Sequence, residues 1–301
     1  MTLHKLTVAT RKSALALTQT RAFIADLRAR HPALEVEELH VTTTGDRVQD
    51  RALSEIGGKG LFIKEIEEAI LDGRADIAVH SMKDVPADLA PGLAIGCVPQ
   101  REDPCDVAIT RTGQPLSELP AASRVGTSSL RRKVQLLAWR SDVEIVPLRG
   151  NVDTRLRRCE EGHVDAIILA RAGMVRLGLS DRVTEVLDPE RCIPAIGQGA
   201  LAIEQRAGDE RVAELLAPLA DAETTLCIAV ERGVMRAVDG SCQIPVAAFA
   251  RRAGERLRVS ALLAETDGTR VRRRTLDLDW PSLPEEAERH GLSLGAALKQ
   301  A

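Results

Sequence analysis

Aromatic side chains are scarce in this chain of 301 residues, which has no tyrosine, two tryptophans and three phenylalanines. A groove for single-stranded nucleic acid needs aromatic rings on which the bases stack, so this function is disfavoured. The formal net charge of −3 and the sequence pI near 6.1 also argue against nonspecific nucleic-acid binding, which favours basic proteins. We therefore predict that nucleic acid is not a partner.

Long apolar runs and regular cysteine patterns are missing as well. No stretch approaches the roughly 20 apolar residues that span a bilayer. The start of the chain, MTLHKLTVAT, is typical of a strand rather than of an export signal. The six cysteines are scattered without a CxxC pair, which argues against a disulfide framework and a structural zinc site. These features predict a cytoplasmic protein with no membrane partner and no metal.

Positive charge is concentrated in one segment. Residues 124–176 hold eleven Lys/Arg against six acidic side chains, although the whole chain is acidic. Most charge runs are solvated helix faces, but Arg131, Arg132 and Arg149 fall at predicted strand-to-helix junctions. There, backbone N–H groups and guanidinium groups face an anion together. We expect small polycarboxylates or phosphates as ligands.

Strands and helices alternate through the first 170 residues. This pattern predicts the α/β class, with two lobes built on parallel-leaning sheets and ligands bound at the carboxyl ends of strands, in a cleft between the lobes. The predicted strands are 6–9, 34–41, 77–79, 93–98, 107–110, 124–126, 143–146 and 166–169, and the predicted helices are 13–30, 61–71, 130–139 and 152–161.

The pattern changes after about residue 220. Apolar residues recur every four positions from Leu226 to Val238, which predicts an amphipathic helix. Three strands follow, separated by hairpin-type turns, and a final helix begins near Pro281. The strands are predicted at 246–250, 257–263 and 270–276. This end of the chain is therefore expected to be a small α+β domain with a three-stranded antiparallel sheet.

The turn Asp239–Pro245, with the sequence DGSCQIP, places Cys242 among small residues. An exposed thiol in such a turn can carry a covalent group, although free cysteines are more often small core residues. A thiol-dependent acyl transferase would need a base beside Cys242, and the sequence offers none that is evident.

Two further segments have a composition typical of functional loops. Thr42–Lys59 is long, polar and rich in glycine at its end, as a mobile lid would be, but it lacks the full Walker pattern for nucleotides. Lys83 and Asp84 follow a predicted strand in the run HSMKD. They are either a surface ion pair or a pair placed for chemistry at a strand's carboxyl end.

Several blocks of the sequence together resemble one family. They are ATRKSALALTQT, TTTGDRVQDRALSEIGGKGLFIKE, VHSMKDVP, REDPCDVAIT, VGTSSLRRKVQL, LRGNVDTRL, ILARAGMVRLG, AIGQGALAIE and ERGVMRAVDGSCQIPV. In this order and over residues up to about 250, the chain closely resembles the porphobilinogen deaminase (hydroxymethylbilane synthase) family. Ser241 stands where many members have the second glycine of Gly-Gly-Cys, a variation that leaves the cysteine in place.

The resemblance implies three domains and a monomeric enzyme. The first domain would comprise residues 1–99 plus about 195–220, the second 100–194, and the third 221–301 with the cofactor cysteine. The first two would be similar to the two-lobed solute-binding fold.

The resemblance also implies the reaction. Members of the family carry dipyrromethane, a cofactor of two linked pyrroles, on a cysteine that matches Cys242. They condense four porphobilinogen units head to tail with release of ammonia, and hydrolyse the product to hydroxymethylbilane in haem biosynthesis. Each pyrrole carries an acetate and a propionate, and arginine forks suit such ligands.

Residue roles follow by position in the matched motifs. Asp84 is implied to be catalytic, because a fixed carboxylate that accepts the pyrrole N–H would stabilise the positive charge of an azafulvene. The residues implied to bind cofactor carboxylates are Lys83, Thr127, Ser129, Arg131 and Arg132. Those implied to bind substrate are Arg11, Ser13, Gln19, Arg149, Arg155 and Arg176. Lys59 and Phe62 belong to the lid.

One alternative of another class is a noncatalytic organic-anion binder built on the same two lobes. Such a binder would need neither the third domain nor Cys242, and the sequence begins without an export signal.

Overall fold

The computed structural model describes residues 4–47, 63–239 and 244–300. The chain divides into two compact units, Met1–Glu102 with Ala200–Thr225 and Asp103–Gly199 with Leu226–Ala301. Within the described residues, no helix is both long enough and apolar enough to cross a membrane.

A mixed five-stranded sheet forms the centre of the first unit. Its strands are β1 (Lys5–Arg11), β2 (Glu35–Val41), β3 (Ile77–Ser81), β4 (Leu93–Cys97) and β10 (Leu201–Arg206). Their order is β2-β1-β3-β10-β4. β1 is parallel to β2 and β3, whereas β10 is antiparallel to β3 and β4.

Helices cover both faces of this sheet. They are α1 (Ala14–Arg30), α2 (Thr44–Arg47), α3 (Lys64–Leu71) and α7 (Glu210–Leu216). Phe23 of α1 and Val212 of α7 share one core with Leu6. Ile66 of α3 shares a second core with Ala9, the strand residue that faces the opposite way. Burial on both faces explains why β3, with the sequence IAVHS, is a nearly continuous apolar run.

A second mixed sheet lies at the centre of residues 103–199. Its strands are β5 (Asp106–Thr110), β6 (Arg124–Gly126), β7 (Glu144–Val146), β8 (Ala166–Ala170) and β9 (Glu185–Val186), in the order β7-β6-β8-β5-β9. β6 is parallel to β7 and β8, and β5 is antiparallel to β8 and β9. The helices are α4 (Leu130–Trp139), α5 (Val152–Glu160) and α6 (Arg171–Arg176).

The C-terminal part is a three-stranded antiparallel sheet with two helices. The strands are β11 (Val246–Ala253), β12 (Arg256–Leu263) and β13 (Arg272–Asp279), and the helices are α8 (Ala222–Ala237) and α9 (Pro284–Gln300). One sheet face packs on the helices, with Val259 against Val234 and Leu294. On the other face, Ala247 and Leu262 pack on Val134 of α4.

The predicted α/β class with a C-terminal three-stranded antiparallel sheet is confirmed. Several details differ, of which three bear on the sheets. Both five-stranded sheets are mixed rather than parallel-leaning, and the third C-terminal strand is shifted to Arg272–Asp279. β10 was not predicted, because the buried Glu204 and Gln205 interrupt its apolar pattern.

Candidate functional site

Asp84 ends a short turn at the carboxyl end of β3. The turn is a 3₁₀ segment, Met82–Asp84, in which the Met82 side chain is buried. The Met82 N–H donates to the carbonyl of Ala200 at 3.0 Å. Asp84 is exposed and Lys83 is half-buried. The turn therefore presents a carboxylate to solvent from a backbone that is anchored in the core.

Ser13 and Gln19 lie on the first strand-helix connection of the same unit. Ser13 caps α1, since its Oγ accepts the N–H of Ala16 at 3.3 Å. Gln19 is buried, and its Nε2 donates to Ser81 Oγ at 3.0 Å. Gln19 is thereby joined to the residue that precedes the Met82–Asp84 turn.

Arg11 is the last residue of β1 and forms an ion pair with Asp46. Its Nε lies 3.1 Å from Asp46 Oδ1. Burial alone would raise the pKa of Asp46, but hydrogen bonds from Arg11 and Thr43 hold that pKa below its usual value. Arg11 is therefore already in contact with one internal carboxylate.

In the second unit, β6 and β7 are parallel neighbours, so their carboxyl ends meet at one edge of the sheet. Thr127 and Ser129 follow β6, and Ser129 caps α4 by accepting the N–H of Arg132 at 3.4 Å. Thr127 is buried, and its Oγ1 accepts the N–H of Ser129 at 3.2 Å. Ser128 Oγ donates to the carbonyl of Leu148 at 3.1 Å and thus joins the loop after β7, which leads into α5.

Arg131 and Arg132 are both buried beside Asp106, the first residue of β5. Arg131 Nη2 lies 2.8 Å from Asp106 Oδ2, and Arg132 Nη2 lies 2.7 Å from Asp106 Oδ1. Burial alone would raise the pKa of Asp106, but the two guanidinium charges hold it far below its usual value. Both arginines are thus charged, buried and already in contact with one internal carboxylate.

Arg149 and Arg155 add positive charge next to this pair. Arg155 Nε donates to the carbonyl of Gly150 at 2.8 Å. Burial, and then the charges of Arg132 and Arg149, lower the pKa of Arg155 to about 10. Arg149 Nη1 is buried and has no hydrogen-bond partner in the described part of the chain. We use the name arginine cluster for Arg131, Arg132, Arg149 and Arg155. The four positive charges of this cluster exceed the single negative charge of Asp106.

Arg176 belongs to the same unit as the cluster. It is the last residue of α6, and its Nη2 donates to the carbonyl of Gly199 at 2.7 Å. The sequence-predicted residues Lys59, Phe62 and Cys242 lie outside the described residues.

Two residues near the cluster had no predicted role. They are Asp106 and Gln198, whose Nε2 donates to Asp106 Oδ1 at 2.9 Å. The sequence did contain a signal for Asp106, which immediately precedes the apolar run Val107–Ile109. An aspartate at the start of a buried strand is itself expected to be buried, and a buried carboxylate requires cationic partners.

Comparison with known proteins decides the family. Residues 6–214 match the family model "Porphobilinogen deaminase, dipyromethane cofactor binding domain", and residues 225–300 match "Porphobilinogen deaminase, C-terminal domain". The chain belongs to the porphobilinogen deaminase family. It is therefore a transferase of tetrapyrrole biosynthesis that acts on porphobilinogen with a dipyrromethane cofactor.

Curated members of the family match nearly the whole chain. Porphobilinogen deaminase of Sorangium cellulosum is 60% identical over 296 residues, which cover 98% of this chain and 99% of the relative. Porphobilinogen deaminase of Syntrophobacter fumaroxidans is 48% identical over 298 residues, which cover 99% and 95%.

Two solved structures align with a large part of the chain. The periplasmic aliphatic sulphonate binding protein SsuA from Escherichia coli is 13% identical, with a TM-score of 0.43. The alignment covers 77% of this chain and 70% of the SsuA chain. The methionine binding protein MetQ is 13% identical, with a TM-score of 0.45. The alignment covers 72% of this chain and 88% of the MetQ chain.

The arginine cluster fits a cofactor with several carboxylates. Its charge is only partly matched by Asp106. Two pyrroles with an acetate and a propionate each would supply the missing negative charge and hydrogen-bond acceptors.

Proposed function

We propose that the enzyme condenses four porphobilinogen units head to tail on a dipyrromethane attached to Cys242, with loss of ammonia at each step. Hydrolysis then releases hydroxymethylbilane. The observation that carries this proposal is the arginine cluster, which concentrates buried positive charge beside one carboxylate in an acidic chain. Such a site selects a ligand by its carboxylates.

Attachment at Cys242 is supported by the elements on either side. α8 ends at Ala237 and β11 begins at Val246, with Asp239 in the left-handed region at φ 53°. A thioether at Cys242, which lies in sequence between these two elements, would tether the dipyrromethane.

We assign the cofactor carboxylates to Lys83, Thr127, Ser129, Arg131 and Arg132. In Arg132, Nε and Nη2 donate to Asp106 and Nη1 donates to the carbonyl of Ile168, which leaves two of its five N–H groups for a ligand. The N-terminus of α4, at Ser129, adds backbone N–H groups and the positive end of the helix dipole.

Substrate and growing chain are assigned to six other residues: Arg11, Ser13, Gln19, Arg149, Arg155 and Arg176. Arg149 supports this most directly, because its buried Nη1 lacks an acceptor in the described structure. A substrate carboxylate at that position would remove the cost of an unmatched buried donor. Lys59 and Phe62 are proposed to belong to a lid over the site.

Asp84 is proposed to perform the chemistry. Its carboxylate accepts the N–H of the pyrrole that loses ammonia and stabilises the positive charge that develops on that ring. The same oxygen can take up a proton when the attacked ring regains aromaticity. The Met82 hydrogen bond anchors the backbone of the turn from which the Asp84 carboxylate projects.

The test replaces this carboxylate. We expect Asp84→Ala and Asp84→Asn to lower turnover by roughly 100-fold or more, with a much smaller change in KM, because the charge develops mainly toward the transition state. Asp84→Glu keeps the charge but displaces it, and should retain weak activity. Ammonia release and hydroxymethylbilane formation are measured on protein whose cofactor content has been confirmed by mass.

The exposed Asp72 of the same unit supplies the control. Asp72→Ala, which removes only a surface ion pair with Arg74, should turn over as wild type. Turnover of cofactor-loaded Asp84→Ala within a few-fold of wild type would show that Asp84 is not catalytic.

Three broader assignments are part of the proposal. The three-domain division 1–99 plus about 195–220, 100–194 and 221–301 rests on the family resemblance. A cytoplasmic location is supported by Cys97, Cys105, Cys159, Cys192 and Cys227, which are all free thiols. A monomer that does not bind nucleic acid is supported by the net charge of −3 and by dispersed exposed apolar side chains.

A further inference from the structure

One carboxylate joins the two consecutive arginines of the cluster. Asp106 is completely buried, and its two oxygens are divided between its partners. Oδ1 accepts from Nε and Nη2 of Arg132 at 3.2 and 2.7 Å, while Oδ2 lies 2.8 Å from Nη2 of Arg131. Removal of either oxygen would therefore release one particular arginine.

Arg131 and Arg132 are neighbours on one helix. Successive residues of an α-helix project about 100° apart, so neighbours in sequence do not face one another. Arg131 and Arg132 nevertheless bring their guanidinium groups to the same carboxylate. The far ends of the forks are fixed as well, since Arg131 Nη1 donates to the carbonyl of Ile193 at 2.6 Å and Arg132 Nη1 to that of Ile168 at 2.9 Å.

Asp106 is itself held from the opposite direction. Gln198 Nε2 donates to Asp106 Oδ1 at 2.9 Å and to the carbonyl of Pro104 at 2.7 Å. Cys192 Sγ lies 3.5 Å from Oδ2. With contacts to both oxygens, the carboxylate has a defined orientation that it imposes on the two forks.

Asp106 neutralises only part of the positive charge of the two arginines that it contacts. One negative charge faces two positive charges, and Arg155 and Arg149 add more on the same side. The pair thus keeps an excess of positive charge and spare N–H groups for a ligand.

We infer that Asp106 is a positioning residue, which orients the forks of Arg131 and Arg132 toward the carboxylates of the cofactor. This inference rests on the proposed role of these two arginines. The competing explanation is that Asp106 only stabilises the fold, since loss of one partner from a buried ion pair is strongly destabilising.

Cofactor loading separates the two explanations. Apo-protein of each variant is incubated with a series of porphobilinogen concentrations, and the fraction that gains the covalent adduct is read from the intact mass. Thermal unfolding of the same apo-proteins is recorded in parallel. The variants are Asp106→Asn, which keeps the size but loses an acceptor, and Asp106→Glu, which keeps the charge but moves it by one methylene.

Asp165 provides a matched control at the other end of the same sheet. Asp106 pairs in register with Ala170, whereas Asp165 precedes Ala166 at the opposite end of β8. Like Asp106, it has two arginine neighbours, Arg124 and Arg111, at 3.5 and 3.6 Å. Asp165→Asn removes a paired carboxylate from the same unit without touching the cluster.

We expect the half-saturating porphobilinogen concentration to rise at least tenfold in both Asp106 variants and to stay at the wild-type value in Asp165→Asn. Asp106→Glu preserves the charge balance, so it should lose less stability than Asp106→Asn, and its loading defect remains measurable if Asp106→Asn does not fold. The inference would be overturned if Asp106→Glu gains the cofactor adduct at wild-type porphobilinogen concentrations. It would also be overturned if all three variants load poorly in proportion to their loss of thermal stability.

Arg131→Leu and Arg132→Leu are loaded in the same series. If they load normally, the proposed function of these arginines fails, and the inference loses its basis. If they lose the adduct while both Asp106 variants load normally, the inference alone is wrong.

Discussion

At the scale of single residues, the notable property of the second unit is buried positive charge in excess of buried negative charge. Arg155 shows it most clearly, because burial and the charges of Arg132 and Arg149 lower its pKa to about 10. For a base, a lowered pKa means that the folded state disfavours the charged form. Arg155 nevertheless remains protonated at neutral pH, and the cluster loses this charge only as the pH rises through about 10.

A polycarboxylate should relieve this repulsion and stabilise the apo-protein. We expect citrate to raise the Tm of wild type more than sodium chloride does at equal ionic strength. This additional rise in Tm with citrate should largely disappear in Arg155→Met. A ligand stabilises the folded state only if it binds that state, and this variant lacks one of the arginines that would bind citrate. About 1 kcal/mol of binding corresponds to roughly 2–4 °C in a domain of this size.

The control for general salt effects is Arg157→Met on the same helix. Arg157 has a 65% exposed side chain that pairs loosely with Glu161, so its loss should leave the citrate excess intact. Equal loss of the excess in both variants would show that citrate does not act through the cluster.

At the scale of elements, α8 and α9 approach so closely that glycines are required. A Cβ on Gly291 would lie 1.9 Å from the carbonyl oxygen of Val230, and one on Gly233 would lie 2.4 Å from the carbonyl oxygen of Glu288. Both obstacles are backbone atoms, so neither can move aside as a side chain could. This crossing fixes the position of α8, the helix that precedes Cys242 in the sequence.

Gly291→Ala should destabilise the protein despite the better helix propensity of alanine. The propensity gain is about 1 kcal/mol, whereas overpacking against backbone costs about 1–3 kcal/mol or more, so the steric effect should prevail. Urea unfolding of this variant is compared with Ser293→Ala, an exposed position of α9 that should behave as wild type. A midpoint for Gly291→Ala at or above that of wild type would contradict the close crossing.

Several elements could be predicted from local sequence because their signals are local. α4 was predicted at its observed bounds, Leu130–Trp139, from its helical spacing. β10 was missed because its buried polar residues are matched by distant partners, as Glu204 is by His80 at 2.9 Å. Asp106 was missed for the same reason, since the residues that make its burial possible lie 25 and 26 positions away in sequence.

At the scale of the whole molecule, the family motifs predicted the arginines as ligands of acidic groups, but no motif shows what holds an arginine before its ligand arrives. That information exists only after β5, α4 and the Ile193–Gln198 segment have come together. The chain as a whole remains acidic, with a net charge of −3, so the positive site is a local construction of the fold. We propose that this site holds the carboxylates of the cofactor and the substrate.

The most direct test of this account is the intact mass of purified, denatured enzyme. We predict that active wild type exceeds the mass of its polypeptide by two linked pyrrole units, that Cys159→Ser keeps this adduct, and that Cys242→Ser has the bare polypeptide mass and almost no turnover. Fully active wild-type enzyme with the mass of the bare chain would contradict the account.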